Sequence, residues 1–395
     1  MRVTCRHNQR PESGPPPRFP ADPAGPAATE GVMDEIMNNA SDRFGLSPAV
    51  GRGRSRPKLR VGMTFNVRRN GSIRDGEDTD AEYDSPATIR AIREAIEHHG
   101  HSVVELEATP ELPSLLPSAA VDVVFNIAEG IQGRHRESQV PALLELLGIP
   151  YTGSDPTALS LAMDKGLAKR LVRDAGFHTP PFVLMTTGRE RLPAGFRFPA
   201  IVKPVAEGSS KGILNNSVVE TEVQLRGLAR ELAGRYRQAV MAEGFLTGRE
   251  FTVGLLGERR PRALPPLEIL YTDETAKYPV YSFSNKFQDQ AVRFEVPARV
   301  TPKLDRELKR VARGVFTVLG CRDVARVDLR LDAQGRVHFI EINPLPGLTP
   351  GFSDLCVIAE AAGMDHRALI GEILAPAIRR RQEARRRRRP HPSPT

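Results

Sequence analysis

The segment Arg326-Val-Asp-Leu-Arg-Leu-Asp-Ala-Gln-Gly-Arg-Val-His-Phe-Ile-Glu-Ile-Asn343 places charged and amide side chains at a spacing of two. It reads as two alternating strands around a turn at 332–335. With a two- or four-residue loop, Arg326 pairs with Glu341 and Asp328 with Phe339, so that Arg326, Asp328, Glu341 and Asn343 share one face; an odd-length loop would break this arrangement. The opposite side carries Val327, Leu329, Ile340 and Ile342, suited to a core. Two carboxylates and an amide oxygen on one face are hard ligands of the kind that bind Mg²⁺ together with substrate phosphates. The same pattern also describes an amphipathic hairpin with a solvated polar side.

Two other segments carry groups of complementary chemistry. Lys203 lies within the apolar stretch Phe198–Val205, which is followed by Gly208-Ser-Ser-Lys-Gly212. Small residues let backbone N–H groups approach anionic oxygens, and Lys203 and Lys211 supply positive charge, so this loop could cradle phosphates. It lacks the Gly-Lys-Ser/Thr ending of a Walker loop, and a hairpin turn would look similar. In Met241-Ala-Glu-Gly-Phe-Leu-Thr-Gly-Arg-Glu-Phe-Thr-Val253 the backbone could meet an adenine edge, and Glu250 could accept from ribose hydroxyls. Read alone, Glu243 and Glu250 are surface acids. Lys165, near a helix start in Ala162-Met-Asp-Lys165, is by itself a surface lysine.

The elements that must position these groups alternate between strand and helix from Leu59 onward. Strands at 59–65, 101–105, 121–127 and 149–151, with helices at 85–99 and 140–147, make a small doubly wound domain ending near Tyr151. A second α/β unit follows, with a helix at 158–175, a strand at 198–205, a helix at 220–232 and a strand at 239–243. The remainder reads as antiparallel strands and a helix opened by Thr301 as N-cap and Pro302 at its first position. Leu304, Leu308, Val311, Val315 and Leu319 line one face of that helix, and Gly320 stops it.

Composition excludes several classes. No apolar run approaches the roughly 18 residues a membrane-spanning helix needs. Three widely spaced cysteines (Cys5, Cys321, Cys356) fit neither a disulfide framework nor a cysteine zinc site, so a reducing cytoplasm is the expected location. The net charge of +8 is terminal: residues 379–395 carry +7, residues 1–60 carry +4, and the body between them is −3. The Pro/Gly/Arg-rich stretch up to residue 57 and the Arg-rich tail from 379 read as disordered, and nucleic acid is not an expected partner.

Taken in order, these segments resemble the ATP-grasp superfamily and, more closely, the D-alanine–D-alanine ligases. The resemblance runs from about Leu59 to Leu374. Its carriers are Leu144-Glu-Leu-Leu-Gly-Ile-Pro-Tyr-Thr-Gly-Ser154, Ala162–Lys165, Val202-Lys-Pro204 with Gly208–Gly212, Gly248–Val253, Ala325–Asp328 and Glu341-Ile-Asn-Pro-Leu-Pro-Gly-Leu-Thr349. It implies an α/β chain with an ATP-grasp fold, two α+β lobes clasping ATP, preceded by a small doubly wound parallel-sheet domain. The implied units are an extension at 1–57, a pre-ATP-grasp domain at 58–152, a small lobe at 153–245, a large lobe with the metal and substrate site at 246–378, and the tail at 379–395.

The resemblance also implies roles. Lys165 and Lys203 would hold ATP phosphates, with Ser209 and Ser210 closing over them; Glu243, Leu246 through its backbone, and Glu250 would hold adenine and ribose. Asp328, Glu341 and Asn343 would bind two Mg²⁺ ions, with Mn²⁺ as a substitute. Arg326, the Gly347 N–H, Ser209 and Lys286 form the implied catalytic set. The implied reaction joins two amino acids through an acyl phosphate to make a dipeptide for the cell wall, and the implied assembly is a homodimer.

Departures from the family pattern fall on the amino-acid side. The early Gly-Gly loop is replaced by the longer, charged stretch from Asn66 to Asp80, leaving Glu82 or Asp84 as the ammonium-binding acid. A tyrosine-bearing loop aligns with Tyr281–Phe287, placing Phe287 at the tyrosine, or alternatively with Lys277-Tyr278. The serine that would bind the second carboxylate falls at Phe352, beside Ser353. A ligase for other amino or hydroxy acids, or a nucleotide binder without turnover, are the competing readings. A hydride-transferring Rossmann enzyme is disfavoured because no Gly-x-Gly-x-x-Gly follows a strand.

Overall fold

The computed structural model describes residues 58–69, 82–208, 210–213, 217–273, 277–281 and 292–387. The N-terminal extension, Ser209, Lys286 and Phe287 lie outside the described residues.

The chain opens with β1 (Arg60–Phe65), α1 (Pro86–His98), β2 (Ser102–Glu107), α2 (Leu112–Ala119) and β3 (Val123–Asn126). These strands form a parallel sheet in the order β2-β1-β3. The strand expected at 149–151 is reduced to a single bridge between Tyr151 and Val124, because Pro150 has no N–H to extend a ladder. α1 starts sharply: the Ser85 hydroxyl accepts from the Thr88 N–H and Pro86 fills the first turn. Its apolar stripe, Ile89, Ile92, Ala95 and Ile96, is buried. α3 (Gln139–Leu146), α4 (Pro156–Met163) and α5 (Lys165–Asp174) follow.

A four-stranded antiparallel sheet comes next, built from β4 (Phe182–Met185), β5 (Ala200–Pro204), β6 (Val218–Val219) and β7 (Val240–Gly244) in the order β4-β7-β5-β6. It is backed by α6 (Glu222–Tyr236), which a Thr221/Gln224 capping box opens. The third sheet joins β8 (Glu250–Gly257), β9 (Arg262–Ala263), β10 (Leu267–Tyr271), β11 (Val292–Glu295), β12 (Asp323–Leu331) and β13 (Val337–Asn343). Its main path is β11-β10-β8-β12-β13. α7 (Pro302–Val318) covers one face with Leu308, Val311, Ala312, Val315 and Phe316. α4 and α5 add Ala162, Ala168 and Val172 to that same core, so the stretch that opens the expected 153–245 lobe packs on the large sheet.

The last helices, α8 (Asp354–Ala361) and α9 (His366–Arg387), close the fold. Leu369, Ile370, Ile373, Leu374 and Ala377 share one core with Val61, Met63, Ile92 and Phe125 of the first sheet and its helix. This corrects the expected tail boundary at 379. The helix continues to Arg387 because Arg380 binds the buried Asp323 with two bonds, at 2.8 and 2.5 Å, and Arg381 pairs with Asp122. Among the described residues no helix is long and apolar enough to cross a membrane.

Candidate active site

β12 sits between β8 and β13, and the register turns period-two alternation into a grid. Arg330 faces Glu250; Asp328 faces Thr252 on one side and Glu341 on the other; Arg326 lies opposite Asn343. The hairpin reaches this arrangement by a route the sequence pattern did not give. Its loop spans the five residues between Leu331 and Val337, an odd number, and a bulge after Asp328 restores the parity. The expected pairs Arg326–Glu341 and Asp328–Phe339 are thus replaced by Arg326–Asn343 and Asp328–Glu341. Ile340, expected in the core, lines the cleft, and Phe339 takes the core position. Asp332 holds the turn, its Oδ1 accepting from the Gln334 and Arg336 N–H groups, both at 2.9 Å.

Arg326 is gripped by two carboxylates. Its Nε and Nη2 donate to Asp328 at 3.1 and 3.0 Å, and its Nη1 donates to Asp354 at 2.7 Å. Thr252 Oγ1 donates to Asp328 at 2.6 Å. Burial pushes the Asp328 carboxyl up and the charge of Glu341 adds to this, while Arg326 opposes it. Two like-charged carboxylates facing one another on a buried strand pair, with the Asn343 amide beside them, fit a divalent cation with hard oxygen ligands.

The four-stranded sheet faces this grid across a cleft lined by Lys203, Ser210, Leu246, Glu250, Arg326 and Asp328. Lys203 and Glu243 project from the same side of β5 and β7 and meet at 2.6 Å. Glu243 also pairs with Lys169 at 2.8 Å. Burial alone would raise the Glu243 carboxyl, but the two ammonium groups outweigh it and hold it below its ordinary range. Both carboxylate oxygens thereby face ammonium groups of the protein. Lys169 was not singled out in the sequence, although its position four residues after Lys165 on α5 puts both on one helix face. Burial brings Lys169 down to about 8 against the pull of Glu243.

Lys165 donates to the Glu207 carbonyl and lies 3.5 Å from Glu341. Glu250 is held by Arg330 at 3.1 Å and by the Tyr271 hydroxyl at 2.6 Å. The Arg330 guanidinium stacks 4.5 Å from the Phe245 ring, placing an arginine on the cleft wall that the sequence reading passed over. Ser210 donates to the Tyr281 carbonyl at 2.9 Å, joining the small-residue loop to the large sheet's side of the cleft. Lys277 and Tyr278 both bind Glu220.

Beside this cleft lies a second cavity containing Glu82, Asp84, Glu341, Asn343 and Gly347. Glu82 receives two bonds from Arg136, at 2.6 and 2.8 Å, and one from the Gly208 N–H at 2.7 Å. It therefore anchors the loop after β5 as well as facing the cavity. Burial pushes the Asp84 carboxyl up to about 7, with Arg68 opposing. Burial also takes Glu137 up to about 7 and Glu129 well above its ordinary value; Glu82 adds to both shifts. Neither Glu129 nor Glu137 was a sequence candidate. Ser353 accepts from the Thr349 N–H at 3.0 Å, and a side chain at Gly347 would begin 2.8 Å from its Oγ. Phe352 is partly exposed beside it.

Residues 171–375 match the family model for the D-ala D-ala ligase C-terminus. The D-alanine–D-alanine ligase of Aquifex aeolicus is 35% identical over 288 residues, 73% of this chain and 93% of that one. The chain belongs to the D-alanine–D-alanine ligase family. A protein of Sinorhizobium fredii designated y4sG is 38% identical to this family member over 259 residues, 65% of this chain and 75% of its own length. Among solved structures, the D-alanine–D-alanine ligase from Bacillus anthracis complexed with ATP superposes with a TM-score of 0.64 at 23% identity, covering 82% of this chain and 99% of that one. VanG D-Ala:D-Ser ligase from Enterococcus faecalis gives 0.65 at 21% identity, covering 81% and 100%. The three sheets are thus those of an ATP-grasp ligase.

Proposed function

We propose that this ligase uses ATP to activate the carboxylate of one amino acid and joins it to the amine of a second, with D-alanine the first substrate to try in both places. A carboxylate oxygen attacks the γ-phosphorus, ADP leaves, and an acyl phosphate forms. The amine nitrogen then attacks the acyl carbon, inorganic phosphate departs, and loss of the ammonium proton leaves an amide. The observation that carries this reading is the convergence of Arg326, Asp328, Glu341 and Asn343 on one sheet face opposite Lys203.

Lys165 and Lys203 would bind phosphate oxygens; each is held by an acidic or carbonyl partner. Three of the five N–H groups of Arg326 are committed to Asp328 and Asp354, which orients the other two for an oxyanion on the acyl carbon, with the Gly347 N–H as a second donor. Asp328, Glu341 and Asn343 would hold Mg²⁺, which when bound neutralises charge on the transferring phosphoryl group. The pairing of Ser210 with Tyr281 supports a closed cleft that excludes water from the acyl phosphate. The reading extends to a peptidoglycan precursor as product and a homodimer as the assembly.

The test is ADP release from purified protein with Mg²⁺, ATP and a panel of D- and L-amino acids and hydroxy acids, with mass spectrometry of the product. A dipeptide formed together with ADP is the expected result. Failure to release ADP with every pair would exclude ligase turnover.

A further inference from the structure

The second cavity carries more carboxyl groups than an α-ammonium group requires. Six carboxylates line it, those of Glu82, Asp84, Glu129, Glu137, Glu207 and Glu341, against one lysine, Lys165. Four of the six have cations of the protein to answer them. Glu82 has Arg136; Glu207 has Lys211 at 3.2 Å and Arg136 at 3.4 Å; Glu341 has Lys165; and Asp84 faces Arg68. Glu129 and Glu137 make no hydrogen bond or ion pair among the described residues; they feel only the more distant charge of Arg136 and, at Glu137, of Lys165, and both of these cations are already paired with other acids. Glu137 is only 8% exposed.

A nearly buried carboxyl group without a hydrogen-bonding partner is destabilising, and folded proteins retain one where function uses it. The fold brings these two acids together on purpose-built backbone. Gly130, at φ +82°, lets the chain turn so tightly that a Cβ there would fall 2.1 Å from the Arg136 carbonyl oxygen, and its N–H donates to Asn66 at 3.0 Å. Residues 129 and 137 therefore flank one closed loop and line the same wall.

The form of a cation that would suit Glu129 and Glu137 follows from the rest of the wall. Among the described residues no three acidic, histidine or cysteine side chains lie close enough together to hold a metal ion, so the charge is spread out rather than focused. Ile127, Met163, Leu345 and Leu348 line the same cavity. An apolar wall leading to separated carboxylates suits a methylene stem with an ammonium or guanidinium tip, since such side chains bury the stem while the tip keeps polar partners.

We infer that one of the two substrates is a basic amino acid, whose cationic side chain is received by Glu129 and Glu137 against the apolar wall of this cavity. The inference rests on the ligase reading above and narrows its substrate class. It places the enzyme after a reaction that supplies free diamino or guanidino acids, and it makes the product a dipeptide with a charged side chain.

The experiment measures binding and turnover separately on the full chain. Calorimetry with Mg²⁺ and ADP compares both enantiomers of lysine, ornithine and arginine with norleucine, a neutral analogue of the lysine stem. At least one basic acid is expected to bind tenfold or more tightly than norleucine, with the preference falling below threefold in Glu137→Gln and in Glu129→Gln. Both amides keep the size of the acid, and thermal melts identify a variant that fails to fold, in which case the other decides. Equal binding of basic and neutral acids, or a preference that survives in the double variant, overturns the inference. ADP release with alanine but with no basic acid also overturns it and leaves the ligase reading standing. Tight, Glu137-dependent binding of a basic acid without ADP release from any pair supports the pocket and rejects ligase turnover.

Discussion

Lys169 on α5 meets the buried carboxylate of Glu243 on β7 at 2.8 Å, tying a helix that packs on the large sheet to a strand of the four-stranded sheet. Lys203 completes the group. Removing the shared anion leaves two buried ammonium groups facing each other, whereas removing Lys169 leaves Glu243 with Lys203. Glu243→Gln is therefore expected to destabilise the protein by about 4 kcal/mol and Lys169→Met by less, within the range for broken buried ion pairs. Chemical denaturation of both variants checks the order; equal or negligible losses would contradict it.

Glu137 gives the protein a defined pH dependence. Its carboxyl titrates near 7 when folded, against an ordinary value of 4.5, because burial disfavours the charge and Glu82 adds to the effect. The folded state therefore holds a proton that the unfolded chain releases at lower pH. Its contribution is fully present below pH 4.5 and is lost as pH rises toward 7. Glu137→Gln should match the wild type near pH 4.5 and exceed it above pH 7 by up to roughly 3 kcal/mol. Melting curves from pH 5 to 8 read this difference, and a gap that does not widen with pH would refute it.

The arginines at the end of the chain divide into two groups. Asp323 is fully buried and is held by Arg380 and the Gly153 N–H. Cutting the chain after Ile378 leaves that carboxylate without its cation and should destabilise the fold by about 3 kcal/mol. Cutting after Arg387 should change stability by less than about 0.5 kcal/mol. Equal melting of the two truncated forms would show that Arg380 and Arg381 do not anchor α9.

At Gly347 the backbone approaches the Ser353 hydroxyl so closely that an added methyl would start 2.8 Å from it. Gly347→Ala should displace Ser353, break its bond from the Thr349 N–H and lower turnover at least tenfold. The lost hydrogen bond alone is worth roughly 1 kcal/mol of stability. Because the colliding atom belongs to a side chain, Ser353→Ala in the same protein should recover part of the turnover. A double variant no better than Gly347→Ala would place the damage elsewhere.

The site grid was legible in residue type and alternation, since a charged face opposite a Val/Leu/Ile face can hardly be arranged otherwise in a paired strand. Its register was not, because the five-residue loop and the bulge at Ile340 compensate each other and neither is marked by a glycine or proline at the bulge itself. The helix at Thr301–Gly320 could be read from its cap, stripe and stop. By contrast, α9 continues past the expected boundary because of partners remote in sequence, Asp323 and Asp122, which a local reading of an arginine run cannot see. Glu129 and Glu137 escaped notice for the same reason: nothing in their neighbours announces that a loop will bury them with Glu82.

The shared core of the first sheet and the last helix also sets an order of events during synthesis. The first three strands can pair early, but the apolar side of Val61, Met63 and Phe125 is covered only when Leu369, Ile373 and Leu374 arrive. A nascent chain must therefore carry an uncovered sheet until the residues of α9 have been made, which makes the first sheet the segment most in need of chaperone protection.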